Sequence, residues 1–190
     1  MSDQVYDYWL WKDVFSYNQR VELDKILKTD FEMKEPKEYG ASDNSGNFKK
    51  SSTVFISKYH KVKHLLSEIV DESIKVNNHK FGYDLFPIDN NHSLNYNIYD
   101  SKSSSQYDWH LDTSQTIYYD VKLTLLINNS IEKFEGGNFQ LNSGTPYSLS
   151  DFSSPGSVVL IKSNILHKVT PVTSGTRNTI TMFLCGPRFK

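Results

Sequence analysis

The chain has 190 residues, a formal net charge of −1, 37% hydrophobic residues and 14% aromatic residues. This length and composition exclude a disordered chain and predict a single globular domain spanning residues 1–190 with a sizeable core. The near-zero charge argues against nonspecific nucleic-acid binding driven by overall charge, so no nucleic-acid partner is expected.

The sequence also carries information about the compartment. Cys185 is the only cysteine, so no intrachain disulfide can form, and this fits a reducing compartment. The N-terminal residues 1–7 are acidic and polar, unlike a signal peptide. No apolar run approaches the roughly 20 residues that a membrane-spanning helix needs. We therefore expect a soluble, cytoplasmic protein without a membrane partner.

Two helices are predicted in the first half of the chain. Residues 19–28 place four apolar side chains near one stripe, with Ser16 or Asn18 available as the N-cap. Residues 62–76 repeat apolar side chains at helical spacing. The segment 35–52 between them is rich in Gly, Ser, Asn and Lys, which predicts a loop.

From about residue 81 the pattern changes to short strand-like runs separated by Gly and Pro turn signals. The predicted strands are 94–99, 107–111, 122–127, 138–141, 157–161, 167–171 and 179–184. Many short strands with such punctuation indicate a jelly roll, or double-stranded β-helix, of the cupin-like kind. We expect residues 81–187 to form this mainly β core, and residues 1–80 to supply helical support that covers the outer face of one sheet.

Three side chains in the β region predict a metal site. His110 and Asp112 are two positions apart, and alternate residues of a strand point to the same face. A lone His-x-Asp is more often a surface pair, but His167 follows later in the chain. Two histidines and one carboxylate are the facial set that binds non-haem Fe(II) and leaves coordination positions open. These three residues are therefore the predicted metal ligands and catalytic residues.

Arg177 follows the second histidine at short range and is predicted to bind an acidic co-substrate. Its planar guanidinium can grip a carboxylate through two hydrogen bonds. With Fe(II), Asp112 and a 2-oxoglutarate dianion in the same site, the charge of Arg177 completes neutrality, which a buried site needs. If strands 167–171 and 176–184 paired as a hairpin around Thr173, then His167, Val169, Arg177 and Thr179 would share one face.

The residues from about 81 to 187 resemble the iron(II)/2-oxoglutarate-dependent dioxygenases, specifically the prolyl 4-hydroxylase-like branch (prolyl/lysyl hydroxylase-type). The resemblance is carried by Tyr-x-x-His-x-Asp at 107–112, Glu-Gly-Gly-Asn-Phe at 135–139, Pro-Gly at 155–156 and the block from His167 to Arg177. The sequence departs from the family in the loop 100–106, which is longer and lacks a Gly, and at Lys162, where many relatives carry Pro.

The resemblance implies roles for individual residues. His110, Asp112 and His167 would bind Fe(II), and Arg177 would bind the distal carboxylate of 2-oxoglutarate. Tyr99 matches a tyrosine that lines the co-substrate pocket. Thr179 is predicted to bind the co-substrate as well, because the hairpin pairing described above would place it on the same face as Arg177. Fe(II), the co-substrate 2-oxoglutarate and O2 are the implied cofactors, with ascorbate as an accessory reductant.

The implied reaction is hydroxylation of an unactivated C–H bond, and family analogy favours a prolyl residue in a peptide or protein. Two alternatives stay open: a related oxygenase acting on a small molecule or another side chain, and a non-catalytic cupin-like metal-binding module. The loops 100–106 and 113–120 are predicted to flank the open side of the metal and hold the substrate. Tyr118 and Tyr119 in the second loop would either contact that substrate or pack against the N-terminal helices. Lys122 and Thr124 are predicted to flank the pocket.

Overall fold

The computed structural model describes residues 6–35, 38–39, 50–113 and 118–188. Both predicted helices are present, as α1 (Tyr17–Thr29) and α2 (Lys63–Val76). A capping box starts α1, because the Ser16 side chain accepts from the Gln19 backbone N–H while the Gln19 side chain accepts from the Ser16 N–H. Ser16 is therefore the N-cap.

Two larger sheets and one small one form the β structure. The seven-stranded sheet contains, in spatial order, β1 (Tyr8–Trp11), β12 (Val158–Lys162), β8 (Asp120–Asn128), β15 (Thr176–Gly186), β6 (Ser93–Asp100), β5 (Thr53–Lys58) and β2 (Met33–Glu35). The six-stranded sheet contains β11 (Pro146–Ser148), β10 (Phe139–Asn142), β13 (Leu166–Val169), β7 (Tyr107–His110), β4 (Lys50–Ser51) and β3 (Glu38–Tyr39). The small sheet contains β14 (Val172–Ser174) and β9 (Glu135–Gly136).

Side chains of the seven-stranded sheet alternate between two cores. On β15, Ile180, Met182 and Leu184 belong to the cluster that includes the buried residues of α1 and α2. The intervening side chains, such as Thr179 and Thr181, face the six-stranded sheet across a cavity. The helices thus cover the outer face of this sheet, as predicted. The two facing sheets form the predicted double-stranded β-helix.

All seven predicted strands are present with altered ends, but the strands before residue 81 and the short strands β9, β11 and β14 were missed. β1, β2 and β5 belong to the seven-stranded sheet, so the first 80 residues contribute more than helices. The predicted loop 35–52 also contains two short strands, β3 and β4, which pair with each other. Residues 36–37 and 40–49 of this segment lie outside the described residues. Runs as short as these carry too little periodicity to be told from loops without their partners.

The predicted hairpin between the second histidine and the arginine is wrong. β13 pairs with β10 and β7 in the six-stranded sheet, whereas β15 pairs with β6 and β8 in the other. The intervening β14 pairs with β9 instead. His167 therefore lies opposite His110, and Arg177 lies opposite Tyr99. The chain crosses from one sheet to the other between these residues, so they face each other across the cavity.

Within the described ranges, no helix is long and apolar enough to cross a membrane.

Candidate metal and co-substrate site

A cavity lies between the two large sheets. The cavity walls include all six residues predicted for the metal and co-substrate: Tyr99, His110, Asp112, His167, Arg177 and Thr179. The structure therefore brings the predicted site residues together, although the hairpin from which Thr179 was inferred does not exist.

The three predicted metal ligands converge at one wall of the cavity. One ligand atom from each of His110, Asp112 and His167 lies within 4.8 Å of the others. His110 Nε2 is 3.6 Å from Asp112 Oδ1, and His167 Nε2 is 3.3 Å from Asp112 Oδ2. Asp112 does not extend the strand of His110 as predicted, because β7 ends at His110 and the Asp112 N–H donates to the Ser163 carbonyl. The Asp112 carboxylate is therefore directed toward the two histidines by the irregular segment after β7, and not by the alternation of side chains along a strand.

Backbone carbonyl groups orient both imidazole rings. His110 Nδ1 is 2.7 Å from the Asp108 carbonyl oxygen, and His167 Nδ1 is 2.8 Å from the Ile165 carbonyl oxygen. A carbonyl oxygen only accepts, so each Nδ1 carries the proton and donates. Each Nε2 is then the ring nitrogen that faces Asp112, and it can bind a metal once it carries no proton. This is the arrangement found in metal-binding histidines, and the donor set fits Fe(II).

Asp112 is held by a threonine from the opposite sheet. Thr124 Oγ1 on β8 donates to Asp112 Oδ2 at 2.8 Å. Burial by itself would raise the pKa of Asp112, but the hydrogen bond and charge of His167 hold that pKa below its usual value. The carboxylate is therefore ionised at neutral pH. Lys122, the other residue predicted to flank the pocket, is also buried but lies beside Asp120.

A β-bulge sets the direction of the His110 ring. Tyr107 pairs with Val169 and His110 pairs with His167, so three steps along β7 match two steps along β13. Tyr107 and His110 consequently both face the cavity, and their rings stack with centroids 3.5 Å apart and planes 12° apart. No role in the site was predicted for Tyr107, and a bulge has no signature in this segment that could have revealed the stack.

Arg177 is a buried cation, with only 3% of its surface exposed. Its guanidinium lies over the rings of Tyr99 and Phe152, at 5.4 and 5.8 Å from their centres. Among the described residues it forms no ion pair and no side-chain hydrogen bond. Burial lowers the pKa of Arg177 to about 10, so the side chain remains charged at neutral pH. A buried cation without a counter-ion is costly, and this site therefore fits an anionic ligand.

Two neighbours complete the Arg177 end of the cavity. Tyr99 is buried, and this burial raises its pKa to about 12, so the phenol keeps its proton as a hydrogen-bond donor. Gly137 has φ +58°, and a Cβ there would lie 2.8 Å from Arg177 Cδ. The Gly-Gly turn therefore leaves the space that the arginine stem occupies.

The two predicted substrate loops lie in different places. The loop 100–106 packs at the Arg177 end, because the Ser101 N–H donates to Gly175 and the Ser105 carbonyl accepts from Val172. It is thus separated from His110 by the length of β7, roughly 10 Å, and does not flank the metal. In the loop 113–120, residues 114–117 lie outside the described residues. Tyr118 is 77% exposed, which excludes packing of this side chain against the helices.

Part of this chain is similar in sequence to known proteins. Residues 94–185 match the model of the 2OG-Fe(II) oxygenase superfamily. A PKHD-type hydroxylase of Synechococcus sp. (strain CC9605) is 34% identical over 79 residues, which are 40% of this chain and 35% of that protein. The match thus spans about a third of the length of this curated relative.

Solved structures resemble the fold over nearly the whole chain. A prolyl-4-hydroxylase of Pseudomonas putida has a TM-score of 0.70 at 13% identity, covering 96% of this chain and 94% of that one. A Trichoplax adhaerens prolyl hydroxylase, solved with a peptide fragment of hypoxia inducible factor, has a TM-score of 0.64 at 16% identity, covering 94% and 83%. The carbocyclase SnoK from nogalamycin biosynthesis has a TM-score of 0.67 at 12% identity, covering 95% and 79%.

Proposed function

We propose that this chain, whose residues 94–185 match the model of the 2OG-Fe(II) oxygenase superfamily, is an Fe(II)- and 2-oxoglutarate-dependent dioxygenase that hydroxylates an unactivated C–H bond. One observation carries the proposal. Two imidazole Nε2 atoms and a carboxylate converge within 4.8 Å in a cavity that also contains the buried cation of Arg177, which forms an ion pair with none of the described residues. A site that only stored a metal would have no use for that cation.

Each residue has a definite part in this function. His110, Asp112 and His167 hold the metal, and Arg177 binds the distal carboxylate of 2-oxoglutarate through two parallel hydrogen bonds from its guanidinium. Tyr99 and Thr179 line the co-substrate space beside Arg177. When bound, Fe(II) and 2-oxoglutarate supply the activation of O2, with succinate and CO2 as co-products. The charges of the metal, Asp112, the co-substrate and Arg177 cancel, so the filled site is neutral.

A prolyl residue in a peptide or protein is the proposed substrate. The similar folds of the Pseudomonas putida and Trichoplax adhaerens proteins support it, since both of those are prolyl hydroxylases and the second was solved with a peptide. The carbocyclase SnoK has a similar fold, and this observation favours the second candidate, an oxygenase acting on a small molecule. Ascorbate would serve as an accessory reductant in either case.

We further propose that residues 1–190 act as one catalytic domain in a reducing, cytoplasmic compartment. Strands β1, β2 and β5 come from the first 80 residues and complete the sheet that carries Arg177, so a fragment beginning at residue 81 would lack part of that sheet. The single cysteine is consistent with a compartment in which disulfides do not form.

Succinate formation tests the proposal. Purified protein incubated with 2-oxoglutarate, O2 and ascorbate should form succinate when Fe(II) is added and none when Fe(II) is chelated. His167→Ala should abolish this turnover, whereas His79→Ala, which changes an exposed histidine outside the cavity, should leave it unchanged. Iron binding without succinate formation would identify a non-catalytic metal-binding module. A 16 Da gain on members of a prolyl peptide library would then establish the substrate.

A further inference from the structure

Ser52 lies where the chain passes from one large sheet to the other. β4 of the six-stranded sheet ends just before this residue, and β5 of the seven-stranded sheet begins at Thr53 just after it. Thr53 lies opposite Ile98 on β6, and the same register places Ser52 beside Tyr99. Tyr99 in turn lies opposite Arg177 on β15. Ser52, Tyr99 and Arg177 therefore form one row at the co-substrate end of the cavity.

The Ser52 side chain lies on the same side of the sheet as the Tyr99 ring. Phe55 on β5 packs in the cluster beneath the helices, and because side chains alternate along an extended chain, Ser52 takes the opposite face. Burial raises the pKa of Tyr99 to about 12, while the charge of Arg177 and the Ser52 hydroxyl both oppose this rise. A neighbouring hydroxyl has this effect when it donates to the phenol oxygen.

The Ser52 hydroxyl is buried without a hydrogen bond. Ser52 is 4% exposed, and its Oγ has no partner of normal hydrogen-bond geometry among the described residues. The preceding serine differs, because Ser51 Oγ accepts from the Gln106 N–H and the Ser51 N–H donates to the Gln106 carbonyl. Leaving a buried hydroxyl unpaired is costly, so such a group in a native fold calls for an explanation.

A carboxylate at Arg177 would supply that explanation. A carboxylate can accept about four hydrogen bonds, of which the guanidinium fills two, so its remaining capacity can take a donor such as the Tyr99 hydroxyl. A phenol that donates its hydrogen can accept another through its oxygen, and the adjacent Ser52 hydroxyl is available as that donor. Hydrogen bonds arranged in such a chain strengthen one another.

We infer that Ser52 is a positioning residue for the co-substrate and acts through Tyr99. When 2-oxoglutarate binds, Ser52 donates to the Tyr99 oxygen, and Tyr99 donates to the carboxylate that Arg177 holds. The buried serine hydroxyl obtains its partner in that state. This inference rests on the proposed dioxygenase function and extends the co-substrate site to a residue that precedes the family match and that no motif indicated.

Binding of 2-oxoglutarate to the anaerobic Fe(II)-loaded protein, measured by titration calorimetry, tests the inference. Ser52→Ala should raise the Kd for 2-oxoglutarate by about three- to tenfold, the value of one hydrogen bond. The melting temperature of the unliganded variant should not fall, because the deleted hydroxyl has no partner there. Ser57→Ala is the matched control: this buried serine of β5 donates to the Asp30 carbonyl away from the cavity. It should lower the melting temperature and leave the Kd unchanged.

A double-mutant cycle then tests the route through Tyr99. Tyr99→Phe removes the oxygen that would accept from Ser52, so adding Ser52→Ala to this variant should change the Kd by no more than about twofold. The full effect of Ser52→Ala in the Tyr99→Phe background would overturn the inference, as would equal Kd values for Ser52→Ala and the wild type. Failure of the wild type to bind 2-oxoglutarate at all would instead overturn the proposed function, and this inference with it.

Discussion

Arg177 and Tyr99 lie directly opposite each other on β15 and β6, with the guanidinium carbon 5.4 Å from the centre of the tyrosine ring. At this distance the ring face attracts the cation without neutralising it. The guanidinium is thus positioned before any anion binds, and its charge remains available for a carboxylate.

Removing the Arg177 side chain should weaken 2-oxoglutarate binding strongly. Arg177→Ala deletes a charge-assisted bidentate contact and leaves the bound carboxylate unpaired, so we expect the KM for 2-oxoglutarate to rise by about 100-fold. Arg177→Lys should restore binding only in part, because a lysine lacks the planar fork. Arg188→Ala, at an exposed arginine, is the control. An unchanged KM in Arg177→Ala would exclude Arg177 from the co-substrate site.

Removing Asp112 should abolish metal-dependent turnover while the protein remains folded. Asp112→Ala takes away the one anionic ligand of the proposed metal. Anaerobic addition of Fe(II) and 2-oxoglutarate should give a weak visible charge-transfer band in the wild type and none in this variant. His110→Ala should behave in the same way, whereas Asp84→Ala, an exposed aspartate, should keep the band. Wild-type absorbance and activity in Asp112→Ala and His110→Ala would place the metal elsewhere.

The hydroxyl of Thr124 should contribute to metal affinity although it does not reach the metal. Thr124→Val keeps the shape of the side chain and removes the donor to Asp112 Oδ2. Losing an outer hydrogen bond to a metal ligand typically weakens affinity by about 10- to 100-fold, so the dissociation constant for Fe(II) should rise within that range. Thr124→Ser keeps the hydroxyl and should retain most of the affinity. Equal Fe(II) affinity in Thr124→Val and the wild type would contradict this role.

A methyl group at Gly137 should disturb the co-substrate anchor. In Gly137→Ala the new Cβ would lie 2.8 Å from Arg177 Cδ, at a φ of +58°. We expect a higher KM for 2-oxoglutarate together with a loss of stability of about 1 kcal/mol or more. Gly144→Ala provides the matched control, since Gly144 has a φ of +122° and no atom within 4 Å of the added Cβ. That variant should lose stability without a change in the KM.

The exposed tyrosines that follow Asp112 in the chain, Tyr118 and Tyr119, should contact the substrate. Replacing Tyr118 and Tyr119 with Ala should lower substrate-coupled hydroxylation more than succinate formation without substrate. The thermal stability should change little, because Tyr118 is 77% exposed and such surface substitutions usually cost within about 0.5 kcal/mol. A parallel fall in both activities, or a large loss of melting temperature, would indicate a structural role for these side chains.

Much of this candidate site could be predicted from the types and spacing of its residues. His110, Asp112, His167 and Arg177 were recognisable from their residue types and spacing, and the cavity contains all four. The strands of four or more residues after residue 81 were recognisable from apolar runs between turn residues. β1 and β5 were not, because short strands acquire their identity from the partners with which they pair.

The sequence by itself determined which side chains can bind a metal and an acidic co-substrate, since that chemistry belongs to the residues. Only the tertiary structure decided how they meet. His167 and Arg177 lie in different sheets and face each other, whereas reasoning from neighbouring segments paired them in one hairpin. The bulge that stacks Tyr107 on His110 and the bond from Thr124 to Asp112 also depend on long-range pairing. Strand register is set by hydrogen bonds between segments distant in the chain, and no local pattern encodes it.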